Sequence, residues 1–167
     1  ATEDISIMRA IPNISIFSPC NSWETTQILE QIKKKPGPKY LRIDKSNANT
    51  IEGELILGMP RKCFDGEDAI IFATGGIVGE AIKVAQKFRE INKFISIYSV
   101  HTLKPIATKN IVNLIENTKA VFTIEEHTEI GGLGSIISEI IAENSSKKKI
   151  FKKFGIKDKF PEVVGDQ

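Results

Sequence analysis

Residues 119–135, KAVFTIEEHTEIGGLGS, decide the fold class of this chain. The apolar run 120–124 predicts a buried strand that stops at Glu125, and the glycines that follow predict the start of a helix. The apolar residues of that helix recur with the spacing of one helical face: Leu133, Ile136, Ile137, Ile140 and Ile141. Such a strand and helix joined by a tight turn indicate an open α/β sheet. Ligands and partners bind such sheets just after the C-terminal ends of the strands.

The same alternation of short apolar strands and amphipathic helices extends over the whole chain. Strands are predicted at residues 14–17, 39–43, 54–57 (a short edge strand), 69–73, 94–100, 120–124 and 150–154. Helices are predicted before Pro12, after Asn21 with Glu24 as its capping partner, and around residues 78–88, 111–115 and 133–141. This pattern predicts an α/β protein with an open, mainly parallel sheet and helices on both faces.

A polar stretch at residues 44–49 divides the chain unequally and indicates a linker. The 167 residues are enough for one ordinary domain, or for one domain and a fragment of another. After this stretch the sequence repeats a pattern of strand, turn and helix. The chain begins at Ala1 instead of methionine, which suggests a piece of a longer polypeptide.

The composition excludes several classes of protein. The formal net charge is only +2, from 23 basic and 21 acidic residues, which argues against nucleic acid or a membrane surface as a partner. Cys20 and Cys63 are far apart and have neither zinc-site nor disulfide spacing. A reducing, cytoplasmic location is the expectation that fits two such cysteines.

The only two histidines, His101 and His127, each follow a predicted strand, and residues 101–105 are predicted to form a loop. Both would emerge at the same edge of a parallel sheet, beside Glu125 and Glu126. A metal site or an acid–base site is one interpretation, and loop hydrogen bonds or a subunit contact is the other. We expect the second.

Glycines mark two helix starts that could bind an anion. The run 131–135 contains Gly132 and Gly134, and its backbone N–H groups could hold an anion, although a tight turn explains the glycines as well. The earlier series of Thr74, Gly76 and Gly79 matches a dinucleotide fingerprint only in part. It lacks the acidic residue after the next strand, so close packing of helix and strand is the expectation there.

Arg42 stands in an otherwise apolar predicted strand, where a guanidinium must either form an ion pair or point into a wet cleft. A bidentate contact to a phosphate is the functional interpretation. A salt bridge with Asp44 or Glu52 is the structural one, and the pattern alone favours neither.

The order of these pieces resembles that of a known family. The segments EDISIMRAIPNISIFSP, WET, YLRID, AIIFATGGIVGEAIKVA, YSVHTLKPI, EEHTEIGGLGS and GIKDKF together resemble the C-terminal part of transketolases. The split-chain type, in which two polypeptides make one enzyme, is the most similar. The resemblance runs from Glu3 to about Phe160 and extends more distantly to deoxyxylulose-phosphate synthase and to the β subunits of 2-oxo acid dehydrogenases. The chain departs from the family at Cys20-Asn21, where Ala-Asp is usual, and at residues 161–164, where the family has a glycine-rich end.

The resemblance implies that residues 1–45 are the tail of a pyrimidine-binding domain and residues 52–167 the transketolase C-terminal domain. The complete enzyme would use thiamine diphosphate with Mg²⁺ or Ca²⁺, and it would transfer a two-carbon ketol unit from a ketose phosphate to an aldose phosphate. The glutamate that activates the cofactor lies upstream of Glu3 in the family pattern, so no catalytic, cofactor-binding or metal-binding residue is assigned to this chain. We expect the isolated chain to be inactive and to hold no cofactor.

The resemblance also implies partners and one site residue. Arg42 corresponds to the family arginine that binds the substrate's phosphate. An N-terminal transketolase half or subunit, a second copy in a homodimer and sugar phosphates are the expected partners. The competing hypothesis is a non-catalytic α/β module that binds an anion or a protein partner through the helix start at residues 131–135 and the edge formed by His101, Glu125 and His127.

Overall fold

The computed structural model describes residues 2–45, 48–50, 52–144 and 148–159. The helices are α1 (Asp4–Ala10), α2 (Ser22–Ile32), α3 (Val78–Glu90), α4 (Thr108–Ile115) and α5 (Leu133–Asn144). The strands are β1 (Ser15–Phe17), β2 (Lys39–Leu41), β3 (Arg61–Phe64), β4 (Ala69–Thr74), β5 (Ile95–Ser99), β6 (Thr102–Lys104), β7 (Ala120–Thr128) and β8 (Ile150–Ile156). None of the helices in these ranges combines the length and the apolar character needed to cross a membrane.

The main sheet has the strand order β3-β5-β4-β7-β8. The pairs β4–β5, β4–β7 and β7–β8 are parallel, and only the edge strand β3 runs antiparallel to its neighbour. Ile70 and Phe72 of β4 face the side covered by α4 and α5, whereas Ala69 and Ala73 face α3 on the other side. The predicted α/β class, with a mainly parallel sheet between helices, is therefore confirmed.

A second, three-stranded sheet joins the first part of the sequence to residues 102–104. Its order is β2-β1-β6, with β1 parallel to β2 and antiparallel to β6. The first part of the chain also shares a hydrophobic core with the rest, because Ile5 and Ile16 pack in one cluster with Phe72, Leu103 and Leu133. The predicted division at the polar stretch stays a prediction, and residues 46 and 47 of that stretch lie outside the described ranges.

The prediction that the strand at 120–124 stops at Glu125 was wrong. Strand β7 continues to Thr128, and its side chains alternate between half-buried and buried along the whole length. Glu125 and His127 fall on the buried positions, in phase with Val121 and Thr123. A strand carries polar residues inward only where partners satisfy them, and α5 and α1 supply those partners.

Three other strand predictions need correction. Residues 54–57 form no strand, since the carbonyl of Leu55 accepts a hydrogen bond from the Gln31 side chain (2.9 Å) and Leu55 packs toward α2. The antiparallel edge strand is instead β3. Residues 102–104 of the predicted loop form β6, because they pair with β1, which is far away in the sequence. Strand β2 ends at Leu41, so that Arg42 lies just after it. The departures at residues 161–164 lie outside the described ranges.

Candidate functional site

Arg42 lies at the end of β2, where its backbone N–H donates to the carbonyl of Phe17 on β1 (2.8 Å). Its guanidinium is 13% exposed and has three neighbours. Nε lies 3.3 Å from Asp4 Oδ2, Nη2 donates to the backbone carbonyl of Glu126 (3.0 Å), and Nη1 lies 3.9 Å from Asp44 Oδ2. Asp44 is a partner that the sequence suggested, whereas the contact with Asp4 was not predicted.

Two of the carboxylates near Arg42 are themselves held in place. Asp4 Oδ2 accepts a hydrogen bond from the Tyr40 hydroxyl (2.7 Å), and Asp44 Oδ2 accepts one from the backbone N–H of Gly76 (3.0 Å). Burial raises the pKa of the Glu126 carboxyl, and the charge of Asp44 adds to that rise. One guanidinium thus lies among three carboxyl groups, so the surroundings of Arg42 are electronegative overall.

Four buried side-chain atoms near Arg42 have no hydrogen-bond partner among the described residues. They are Arg42 Nη1, Asp4 Oδ1, Glu126 Oε2 and Ser18 Oγ. Three polar atoms converge on Gly75, where a Cβ would lie 2.7 Å from Asp44 Oδ2, 3.2 Å from Ser18 Oγ and 3.7 Å from Arg42 Nη1. Buried polar atoms without partners are uncommon, so this region has the character of a binding site.

The glycine-rich start of α5 binds an anion from within the chain. The buried carboxylate of Glu125 accepts hydrogen bonds from the backbone N–H of Leu133 (2.7 Å) and of Gly134 (2.8 Å). Burial raises its pKa to about 7, and those two hydrogen bonds oppose the rise. A Cβ on Gly132 would overlap this carboxylate, which explains the glycine. An external anion would have to displace Glu125, so the geometry argues against the anion-binding hypothesis for residues 131–135.

His127 connects the sheet to α1. Its Nδ1 lies 2.8 Å from the carbonyl of Thr128, and its Nε2 accepts a hydrogen bond from the backbone N–H of Ser6 (3.3 Å). This network assigns the ring proton to Nδ1. Ser6 is in the first turn of α1, where backbone N–H groups lack partners within the helix. His127 therefore caps a helix that is more than a hundred residues away in the sequence.

His101 belongs to a different network. Its side chain is fully buried, Nδ1 lies 2.9 Å from Thr102 Oγ1, and burial lowers its pKa. The charges that act on it are those of Glu24 and Arg61. The two histidines thus belong to separate networks, although β5 and β7 run toward the same edge of the sheet. Within the described ranges, no three His, Cys, Asp or Glu side chains are arranged to hold a metal ion.

The pair of Glu24 and Arg61 escaped the sequence analysis. Arg61 Nε donates to Glu24 Oε1 (2.8 Å), and the two side chains are 6% and 0% exposed. Glu24 Oε2 accepts from the backbone N–H of Cys20 (2.8 Å) and from Ser99 Oγ (3.1 Å). The predicted cap is confirmed, because Asn21 Oδ1 accepts from the Glu24 N–H (2.8 Å). That capping pattern was the available signal, but it does not reveal that the carboxylate is buried and needs a cation.

The described residues do not fit a thiamine diphosphate site. A diphosphate needs free backbone N–H groups or a bound divalent metal. At the start of α5 the N–H groups of Leu133 and Gly134 are bound to Glu125, and before α3 the N–H of Gly76 is bound to Asp44.

Comparison with known proteins agrees with this architecture. The family described as "Transketolase, C-terminal domain" matches residues 61–164. A putative transketolase C-terminal section from Methanocaldococcus jannaschii is 35% identical over 164 residues, covering 95% of this chain and 50% of the relative. A 6-deoxy-6-sulfo-D-fructose transketolase subunit from a Clostridium species is 34% identical, covering 96% of this chain and 50% of the relative.

A solved structure is also similar to this chain. It is that of a split-gene transketolase, described as an inactive β4 tetramer, and it superimposes with a TM-score of 0.86 at 29% identity. The match covers 95% of this chain and 53% of the solved one. This chain spans about half the length of the curated relatives described above. With a family match over most of its length and a shared fold, the chain belongs to the transketolase family and contains its C-terminal domain.

Proposed function

We propose that this chain is the C-terminal portion of a thiamine-diphosphate-dependent transketolase. The complete enzyme would transfer a two-carbon ketol unit from a ketose phosphate to an aldose phosphate. The observation that carries the proposal is the match over 95% of the chain to proteins twice as long, which include a transketolase C-terminal section. The cofactor supplies the carbanion chemistry in such enzymes, and the protein supplies binding and orientation.

The proposal divides the work between two protein parts. An N-terminal half or subunit would hold the cofactor and its metal, since the N–H groups at the starts of α5 and α3 are bound to Glu125 and Asp44. This chain would contribute assembly surfaces, including contacts to a second copy in a homodimer. The similar solved structure is described as an inactive β4 tetramer, which supports self-association without catalysis for a chain of this type.

Arg42 is the residue that we propose for binding the substrate's phosphate. Its Nη1 is buried and has no hydrogen-bond partner among the described residues, while Nη2 is committed to the backbone of Glu126. Arginine suits this role because its planar fork matches two phosphate oxygens. Asp4, at 3.3 Å from Nε, would hold the guanidinium in the orientation that leaves Nη1 available.

The test compares the chain alone with the chain assembled with its N-terminal partner. We expect ketol transfer only from the assembled enzyme. In that enzyme, Arg42→Ala should raise the KM for xylulose 5-phosphate roughly ten- to a hundredfold, because a charged hydrogen bond contributes about 1.5–3 kcal/mol. The KM for xylulose, which has no phosphate, should change little.

Arg89→Ala is the matched control, since it removes the same charge at the far end of α3, where Arg89 donates to the carbonyl of Asp65 (2.8 Å). It should leave both KM values unchanged. Ketol transfer by the chain alone would contradict the proposed division of work. An equal effect of Arg42→Ala on both sugars would contradict the phosphate contact.

A further inference from the structure

The Arg42 site contains a feature that the proposed function does not use. Asp44 places Oδ2 3.9 Å from Nη1, which is the nitrogen proposed to meet the phosphate. The same oxygen accepts the hydrogen bond from the Gly76 N–H, so the carboxylate is held on this side of the guanidinium. The Asp44 side chain is 9% exposed, and Nη1 is buried.

A carboxylate in this position competes with a phosphate. Both groups are anions that favour the same guanidinium nitrogen, and two anions at one cation repel each other. Water weakens the repulsion least where the charges are buried, as they are here. The carboxyl groups of Asp4 and Glu126 are close to the same guanidinium, so little positive charge remains to offset the repulsion between Asp44 and a phosphate.

We propose that Asp44 is a specificity-determining residue, whose carboxylate opposes phosphate binding at Arg42 and shifts preference toward sugars with a less charged terminus. The inference rests on the proposed function, because it concerns the same arginine and the same reaction. It predicts that removing the charge of Asp44 tightens binding of the phosphorylated substrate, whereas most substitutions at a binding site weaken binding. Loss of a merely structural contact would weaken binding instead.

Asp44→Asn is the informative variant. The amide keeps the shape and can still accept the Gly76 hydrogen bond through its oxygen, but it carries no charge. In the enzyme assembled with its N-terminal partner, the KM for xylulose 5-phosphate should fall roughly tenfold, while the KM for xylulose should stay within about twofold. Asp65→Asn is the control, because it removes the charge of an exposed aspartate that pairs with Lys62 (3.0 Å). It should change neither value.

A second measurement needs only this chain. Inorganic phosphate can be titrated into the wild type and into Asp44→Asn while NMR follows the backbone amide of Gly76. We expect tighter, saturable binding in the variant and loss of that binding when Arg42→Ala is added.

The outcomes separate the two proposals. If Asp44→Asn leaves both KM values unchanged, or raises both, and phosphate binds no more tightly, the role of Asp44 is refuted while the effect of Arg42→Ala still supports the proposed function. If Arg42→Ala affects both sugars equally, the phosphate contact fails and the role of Asp44 fails with it.

Discussion

The buried ion pair between Glu24 and Arg61 should dominate the stability of this chain. It connects α2, in the first part of the sequence, to β3 of the main sheet. Glu24 is fully buried, and its two oxygens accept hydrogen bonds from Arg61, Cys20 and Ser99. Glu24→Gln neutralises one partner and removes the negative charge that faces the buried guanidinium of Arg61.

The expected cost follows from this geometry. Removing one member of a buried pair usually costs about 3–5 kcal/mol, because the remaining charge is uncompensated. Arg61 also donates to Thr50 Oγ1 (2.9 Å), so part of its hydrogen bonding survives, and we expect about 3 kcal/mol. For a chain of this size that corresponds to a fall in Tm of roughly 6–12 °C. Replacing both partners with Leu and Met should recover most of the loss, since no charge is then left unpaired.

Urea unfolding measured by far-UV circular dichroism gives the free energy of unfolding. The fluorescence of Trp23, the only tryptophan, gives a local signal, because Arg61 Cζ lies 5.1 Å from the centre of its ring. Glu80→Gln is the control, since Glu80 pairs with Lys83 in an exposed i,i+3 contact that contributes at most about 0.5 kcal/mol. If Glu24→Gln costs no more than Glu80→Gln, the reasoning about this buried pair is refuted.

Two further predictions concern the start of α5. The pKa of Glu125 is raised to about 7 from an ordinary value of 4.5, so its neutral form stabilises the folded state. This stabilisation is complete below about pH 4.5 and is lost as the pH rises through about 7. In urea unfolding, the free energy of unfolding of Glu125→Gln relative to wild type should therefore rise by roughly 3 kcal/mol between pH 4.5 and 7.5. A difference between the two proteins that does not change with pH would refute the raised pKa. Gly132→Ala should destabilise the fold by about 1–3 kcal/mol, because its Cβ overlaps the Glu125 carboxylate. Gly53→Ala, with no atom within 4 Å of the added Cβ, should be nearly neutral, and equal losses in the two variants would contradict this account.

The fold was predictable where the signal is local. The continuous apolar run at 69–73 and the helical spacing that follows predicted β4 and α3 closely. The end of β7 was not predictable, because the burial of Glu125 and His127 depends on backbone N–H groups of α5 and α1. Strand β6 was missed for the same reason, since three residues become a strand only through pairing with β1.

Single residues of the candidate site could be predicted from the sequence, but most of their contacts could not. Arg42 stood out because a guanidinium is unusual beside apolar strand residues, and Asp44 was a natural local partner. Asp4 could not be paired with Arg42 from the sequence, because α1 and β2 are brought together by β1 and by the shared core. The separation of His101 from His127 likewise depends on β4, which lies between β5 and β7 in the sheet.

The position of Arg42 connects substrate preference to the packing of the two parts of the chain. Asp4 comes from α1 and Asp44 from the start of the polar stretch, whereas Glu126 comes from β7 of the main sheet. Helix α1 is held by the bond from Ser6 to His127, and α2 by the pair of Glu24 and Arg61. A shift of the first part against the sheet would change the distance from Arg42 to Glu126. If Arg42 binds phosphate as proposed, contacts that look merely structural, such as the cap provided by His127, would help to set the charge that the phosphate meets.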